Sequence, residues 1–157
     1  MPKGIIMNKY MRMAINEAKK GIKAGHGGPF GAVIVKDGEV IGKGHNQVLK
    51  NADPTCHGEM MAIHKACKKL GTFDLSGCDL YTTGEPCPMC MSAILWANIE
   101  KVYYGCNIMD TEEIGFRDAK FYQMQQPGER EKLVIELDRK ECLKLYQLYS
   151  RLEHKLY

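Results

Sequence analysis

Apolar residues recur at Met11, Ile15, Ala18 and Ile22, a spacing that predicts an opening helix with one buried stripe. The stretch Gly25 to Pro29 ends it. A compact apolar run, Phe30 to Val35, then meets the turn dipeptide Asp37-Gly38, and Val40 to His45 follows as the returning strand of a hairpin. Asn46 to Thr55 reads as a loop. The helical period returns with Met60, Ile63, Cys67 and Leu70 on one face, and Leu80 to Thr83 predicts a third strand. A third helix opens at Pro86 or Cys87, with Cys90, Ala93, Ile94 and Ala97 sharing a side, and Val102 to Tyr104 reads as a fourth strand. Asp110 to Glu131 is polar, carries Pro127-Gly128 and shows no clear period. Leu133 to Leu137 reads as a short strand, and Asp138 with Glu141 resembles a capping pair. The stripe Cys142, Leu145, Tyr149, Leu152 and Leu156 marks a last helix.

Helix, hairpin, then alternating helix and strand predicts an α/β chain whose sheet is covered by helices on both faces, a three-layer α-β-α arrangement. The antiparallel opening hairpin makes that sheet mixed. A length of 157 residues suits one domain with an apolar core, spanning residues 1–157. A net charge of +3 does not argue for a large nucleic-acid footprint. The longest apolar stretch, around Ala93 to Ala97, is far short of a membrane span. Met1 to Ile6 shows no signal-peptide apolar block, and the seven cysteines, an odd number, read as reduced thiols in a cytoplasm.

Two short segments carry the chemistry. His57-Gly58-Glu59 and Pro86-Cys87-Pro88-Met89-Cys90 together supply one imidazole, two thiols and a spare carboxylate. A structural zinc takes four protein ligands, whereas a catalytic zinc takes three and keeps one position open. Both segments sit at a predicted helix start, where the backbone amides favour deprotonated thiols. Cys87 and Cys90 share a face of the first turn. His57 and Glu59 would diverge by about half a turn on a regular helix, which predicts His57 at the capping edge and Glu59 one step inside. The ion would lower the pKa of its water to roughly 7, and Glu59 would move the proton to the ring nitrogen and then to the leaving amine. Two plainer readings compete. A C-x-x-C pair serves redox chemistry in other chains, but here an H-x-E set lies upstream at suitable spacing. A closed structural site needs a fourth ligand; Cys56 is nearest, yet adjacent helical residues point about 100° apart. Cys67 and His64 read as core and as packing or surface residues.

The segments Pro54 to Glu59 and Glu85 to Cys90 resemble the cytidine and deoxycytidylate deaminase superfamily. Gly27 to Gly38, Trp96-Ala97, Gly115-Phe116 followed by Asp118, and the terminal Tyr157 resemble its small bacterial zinc guanine deaminase branch. The resemblance implies a five-stranded sheet, zinc held by His57, Cys87 and Cys90, and Glu59 as proton shuttle. It further implies a homodimer that exchanges a C-terminal helical tail, about residues 138–157, and so brings Asp118 and Tyr157 to the partner's site. Phe30 and Asn46 would line the base pocket, the Gly58 amide would face the substrate carbonyl, and Trp96 would close the edge. Each has a plainer role: a turn cap for Asp118, a turn residue for Asn46, core packing for Phe30 and Trp96, a frayed end for Tyr157.

Some positions depart from that branch. Gly58 stands where many members carry alanine, and Gly44-His45-Asn46 with Leu80 to Thr83 resembles fungal-type cytosine deaminases. Arg117 precedes the acidic position, and Thr83-Gly84 is not the usual pair before Glu85. The expected reaction is hydrolysis of guanine to xanthine and ammonia, a step of purine catabolism. Cytosine or another amino-heterocycle, and the adenosine of a tRNA, remain open as substrates; a zinc-stabilised interaction module is the non-catalytic reading. An RNA-directed enzyme needs a basic surface around its pocket, and here Lys and Arg are dispersed among acids.

Overall fold

The computed structural model describes residues 6–157, so the leader reading of residues 1–5 lies outside them. Helix α1 (Lys9–Lys23) starts where the Asn8 carboxamide accepts the Tyr10 and Met11 amides, and it ends at Ala24 before the left-handed Gly25. Strands β1 (Gly31–Lys36) and β2 (Glu39–His45) form the expected hairpin. Asp37 and Gly38 both have positive φ, the conformation a two-residue turn demands. The remaining strands are β3 (Cys78–Gly84) and β4 (Lys101–Cys106), and the spatial order is β2-β1-β3-β4. β1 pairs antiparallel with both neighbours, and β3 with β4 is parallel.

The central strand sorts the layers. Val33 and Val35 point to one face, where α1 buries Ala14 with Tyr10, Met11 and Met13 around it. Ala32 and Ile34 point to the other, against Ala62, Ile63 and Ala66 of α3 (Gly58–Leu70) and Ile94 and Ala97 of α4 (Pro88–Trp96). Val33, Ile34 and Leu80 are wholly buried, and each contributes about 1.5–3 kcal/mol by leaving water. α3 rides close to β2 because Gly42 has no side chain; a Cβ there would lie 2.5 Å from the Ala62 carbonyl oxygen.

Three expectations change. The sheet has four strands rather than five: residues 134–138 form no regular structure and pair with nothing among the described residues. Their apolar side chains are bare, so a lone chain offers them no layer to join. Asp138 does not cap its helix through its side chain and adopts a left-handed φ of 55°. The presumed loop after β2 contains a short helix, α2 (Val48–Asn51). The unassigned region holds α5 (Ile108–Glu113), started by a capping box of Asn107 and Asp110, then α6 (Asp118–Met124) and a 3-10 turn at Arg130–Lys132. Helix α7 (Arg139–Arg151) buries none of its residues. No helix among the described residues is long and apolar enough to cross a membrane.

Candidate active site

His57 and Cys87 are the N-caps of α3 and α4, both with extended backbone and neither using its side chain to cap. Their carbonyls accept the first helical hydrogen bonds, from Met61 at 2.9 Å and Met91 at 2.8 Å. The imidazole and the thiol are therefore free, and both helix starts turn positive partial charge on the same point. Cys90 lies one turn into α4 and is fully buried.

His57 Nδ1 is 3.5 Å from the sulfur of Cys87 and 3.5 Å from that of Cys90. All three ligand atoms lie within 4.8 Å of one another. A tetrahedral zinc with ordinary Zn–N and Zn–S bonds places nitrogen and sulfur about 3.6 Å apart, so the cluster fits the ion edge for edge. Cys56 is not part of it; its sulfur accepts from the Asn51 carboxamide at 3.5 Å. The groups share protons tightly. Hydrogen bonding from Cys90 pulls the Cys87 thiol down to about 4, and the same contact pushes Cys90 up. Hydrogen bonding to Cys87 raises His57. A dication held by His57, Cys87 and Cys90 would favour both sulfurs as thiolates.

Glu59, the second residue of α3, is buried and is not a member of the ligand cluster. Burial pushes its carboxyl up to about 7. A group poised there both takes and returns protons near neutrality. Asp118, first residue of α6, is half-buried, and burial followed by the charge of Cys87 raises its carboxyl. Arg117 does not pair with it; its guanidinium carbon lies 4.9 Å from the centre of the Phe121 ring.

These groups open on a cavity of about 570 Å³, walled by Phe30, Asn46, His57, Glu59, Cys87 and Asp118 among others. Phe30 meets Phe116 edge to face, centroids 4.9 Å apart. Gly28 makes room for both rings, since a Cβ there would lie 2.8 Å from each. Asn46 is buried, and its Oδ1 accepts the Val48 amide at 3.1 Å. No buried side-chain nitrogen or oxygen among the described residues lacks a partner, and Nδ2 takes none from the protein. The Nδ2 end is therefore the donor presented to the cavity.

The structure thus gathers Phe30, Asn46, His57, Glu59, Cys87 and Asp118, with Cys90 behind them. Gly58 is buried as the first residue of α3, where its amide has no intrahelical acceptor. Asp118 reaches the cavity of its own chain, although a partner was expected to receive it. Trp96 and Tyr157 do not reach it. They stand 6.0 Å apart on the surface, both largely exposed, with Tyr157 also 6.0 Å from Phe73. Sequence reasoning missed Tyr122, whose hydroxyl donates to the Pro86 carbonyl at 2.6 Å and ties α6 to the metal-holding turn. A tyrosine four residues after Asp118 was the available signal.

Comparison with known proteins agrees with this geometry. Residues 6–106 match the family model described as the cytidine and deoxycytidylate deaminase zinc-binding region, a span that includes the three ligands and Glu59. The chain is 49% identical over 121 residues to guanine deaminase of Bacillus subtilis, covering 76% of this chain and 78% of that one. It is 39% identical over 133 residues to the tRNA-specific adenosine deaminase of Aquifex aeolicus, covering 76% and 87%. The crystal structure of guanine deaminase from Bacillus subtilis superposes with a TM-score of 0.88 at 41% identity, covering 98% of this chain and 99% of that one. With a matched motif, a fitting ligand triangle and a shared fold, the chain belongs to the zinc-dependent cytidine and deoxycytidylate deaminase family.

Proposed function

We propose that this aminohydrolase converts free guanine and water to xanthine and ammonia. The observation that carries the reading is the unliganded, buried Glu59 beside a three-ligand zinc triangle at the base of the cavity. Bound zinc supplies a water of lowered pKa. Phe30 offers a ring face to the base, and the Asn46 Nδ2 donor orients it by an acceptor atom. Glu59 takes the water's proton and returns it to the ring nitrogen, then to the exocyclic amine. Asp118 steadies the departing ammonia, and the Gly58 amide faces the substrate carbonyl. Guanine is favoured over a tRNA base because the likeness to the Bacillus guanine deaminase structure runs through the tail. The likeness to a tRNA A34 deaminase structure covers 62% of the chain, with a TM-score of 0.60. The unpaired state of all seven cysteines suits a reducing cytoplasm.

The tail, about residues 138–157, is exchanged with a partner in a homodimer. Three features support this. Helix α7 leaves Leu145, Tyr146, Leu148 and Tyr149 exposed, residues 133–137 are bare, and β4 is an edge strand with Tyr103 and Tyr104 uncovered. The segment Leu133 to Leu137, which leads into the tail, would supply the missing fifth strand at the partner's β4 edge, and Tyr157 would close the partner's cavity.

Ammonia release by the zinc-loaded protein against guanine, guanosine, cytosine, adenine and an A34-containing tRNA tests the reaction. Guanine is the expected substrate; faster turnover of cytosine or of the tRNA overturns the assignment. For the exchange, co-expressing Glu59→Gln with a chain lacking Tyr157 should restore up to roughly a quarter of wild-type turnover through mixed dimers. No recovery above either variant alone refutes a site built from two chains.

A further inference from the structure

Behind the cavity wall lies a line of polar side chains that the reaction above does not use. Glu17 of α1 and His45 at the end of β2 are both buried, 5% and 6% exposed. His45 Nδ1 is 3.1 Å from the Glu17 carboxylate, and His45 Nε2 is 2.8 Å from His26 Nδ1. Lys20 anchors the other carboxylate oxygen at 3.2 Å. The carboxylate takes the Nδ1 hydrogen of His45, and a single hydrogen is shared between His45 Nε2 and His26 Nδ1.

His26 connects this line to the cavity. Its carbonyl accepts the amides of Leu49 at 3.0 Å and Lys50 at 3.1 Å, while Asn46 Oδ1 accepts that of Val48. Two residues therefore satisfy three successive amides of the first turn of α2. Asn46 itself directly follows His45, and its backbone amide donates to the Phe30 carbonyl at 2.9 Å. There is no slack in the arrangement. A Cβ on Gly21 would stand 2.6 Å from the His45 ring, and one on Gly27 would stand 2.1 Å from Asn46 Oδ1.

We propose that Glu17, His45 and His26 form a positioning relay that holds the Asn46 carboxamide with Nδ2 aimed at the bound base. The ring contact fixes His26, His26 fixes the start of α2, and the Val48 amide there holds Asn46 in one orientation. The relay touches no reacting atom. It sets how well the base is held rather than how fast the amine leaves, and it rests on the deaminase reading above.

The test uses the zinc-loaded full chain. His26→Ala should raise KM for guanine about fivefold, the worth of one neutral hydrogen bond, with kcat within about twofold. His26→Gln, whose amide can still donate to His45, should recover most of the loss. In an Asn46→Ala background, His26→Ala should leave KM unchanged, because the group being aimed is gone. An equal KM penalty in both backgrounds overturns the relay, as does a lower Tm with no change in KM. The side-chain amide NMR signals of Asn46 give a readout free of turnover: one ordered pair in the wild type, and averaged or doubled signals in His26→Ala. Unchanged Asn46 signals would refute the relay even if guanine is the substrate. A wild-type chain that leaves guanine untouched would sink the functional reading while the amide signals still judge the relay.

Discussion

Glu59→Gln separates proton transfer from everything else the site does. The replacement keeps the volume of a side chain that is 5% exposed, and it removes no zinc ligand. The shuttle handles a proton at attack and again at amine departure, and a positioned acid-base group is worth about 10²–10⁴-fold. Turnover of guanine should therefore fall by roughly 10³-fold or more, about 4 kcal/mol of barrier, with one zinc still bound per chain. Burial adds a second readout in the zinc-free protein. The Glu59 carboxyl rises from an ordinary 4.5 to about 7, so the folded chain holds a proton that the unfolded chain has released. Below pH 4.5 both states are protonated and Glu59 costs nothing; the cost grows through the window up to pH 7 and is complete above it. Its size is about 3 kcal/mol, from 1.36 kcal/mol per pKa unit. Zinc-free Glu59→Gln should thus melt roughly 10 °C above zinc-free wild type at pH 8, and together with it at pH 4. Ammonia release, metal analysis and calorimetry at the two pH values make the comparison. Turnover within tenfold of wild type with zinc retained would falsify the shuttle, and an equal melting point at pH 8 would refute the buried-acid argument.

Other outcomes follow from the same geometry. Cys90→Ser should lose zinc on dialysis that leaves the wild type loaded, because losing a ligand costs more than the ~10–100-fold typical of its supporting groups; metal analysis after dialysis decides it. Tyr122→Phe deletes the 2.6 Å bond to the Pro86 carbonyl. It should lower stability by about 1–3 kcal/mol in urea titration and reduce kcat severalfold, since that bond joins the Asp118 helix to the metal-holding turn. A kcat equal to wild type would mean that α6 is placed without it.

Local chemistry made much of this readable from the chain. Asp37-Gly38 marks the hairpin because few residues accept two positive φ values in succession. The cap position of His57 followed from helical geometry, because a side chain two residues from Glu59 must leave the regular helix to share its site. α5 and α6 escaped notice because helices of six and seven residues show too few turns for a period to emerge. Leu133 to Leu137 has strand composition, but a strand needs a neighbour to bond with, and this segment pairs with no strand among the described residues. His26 and Glu17 carried no pattern at all: nineteen positions separate the two histidines that touch, and only the packing of α1 on β2 brings them together.

The uncovered rim of β4 has a consequence for how such a chain lives in a cell. A newly made copy carries an adhesive margin, with Tyr103 and Tyr104 beside unpaired backbone, and in the proposed dimer a sister molecule would cover it. Encounter between two copies is second order, so the interval of exposure shortens as synthesis quickens. Scarce expression, rather than abundant expression, would then be the condition under which proteolysis, a first-order loss, claims the largest fraction of new molecules.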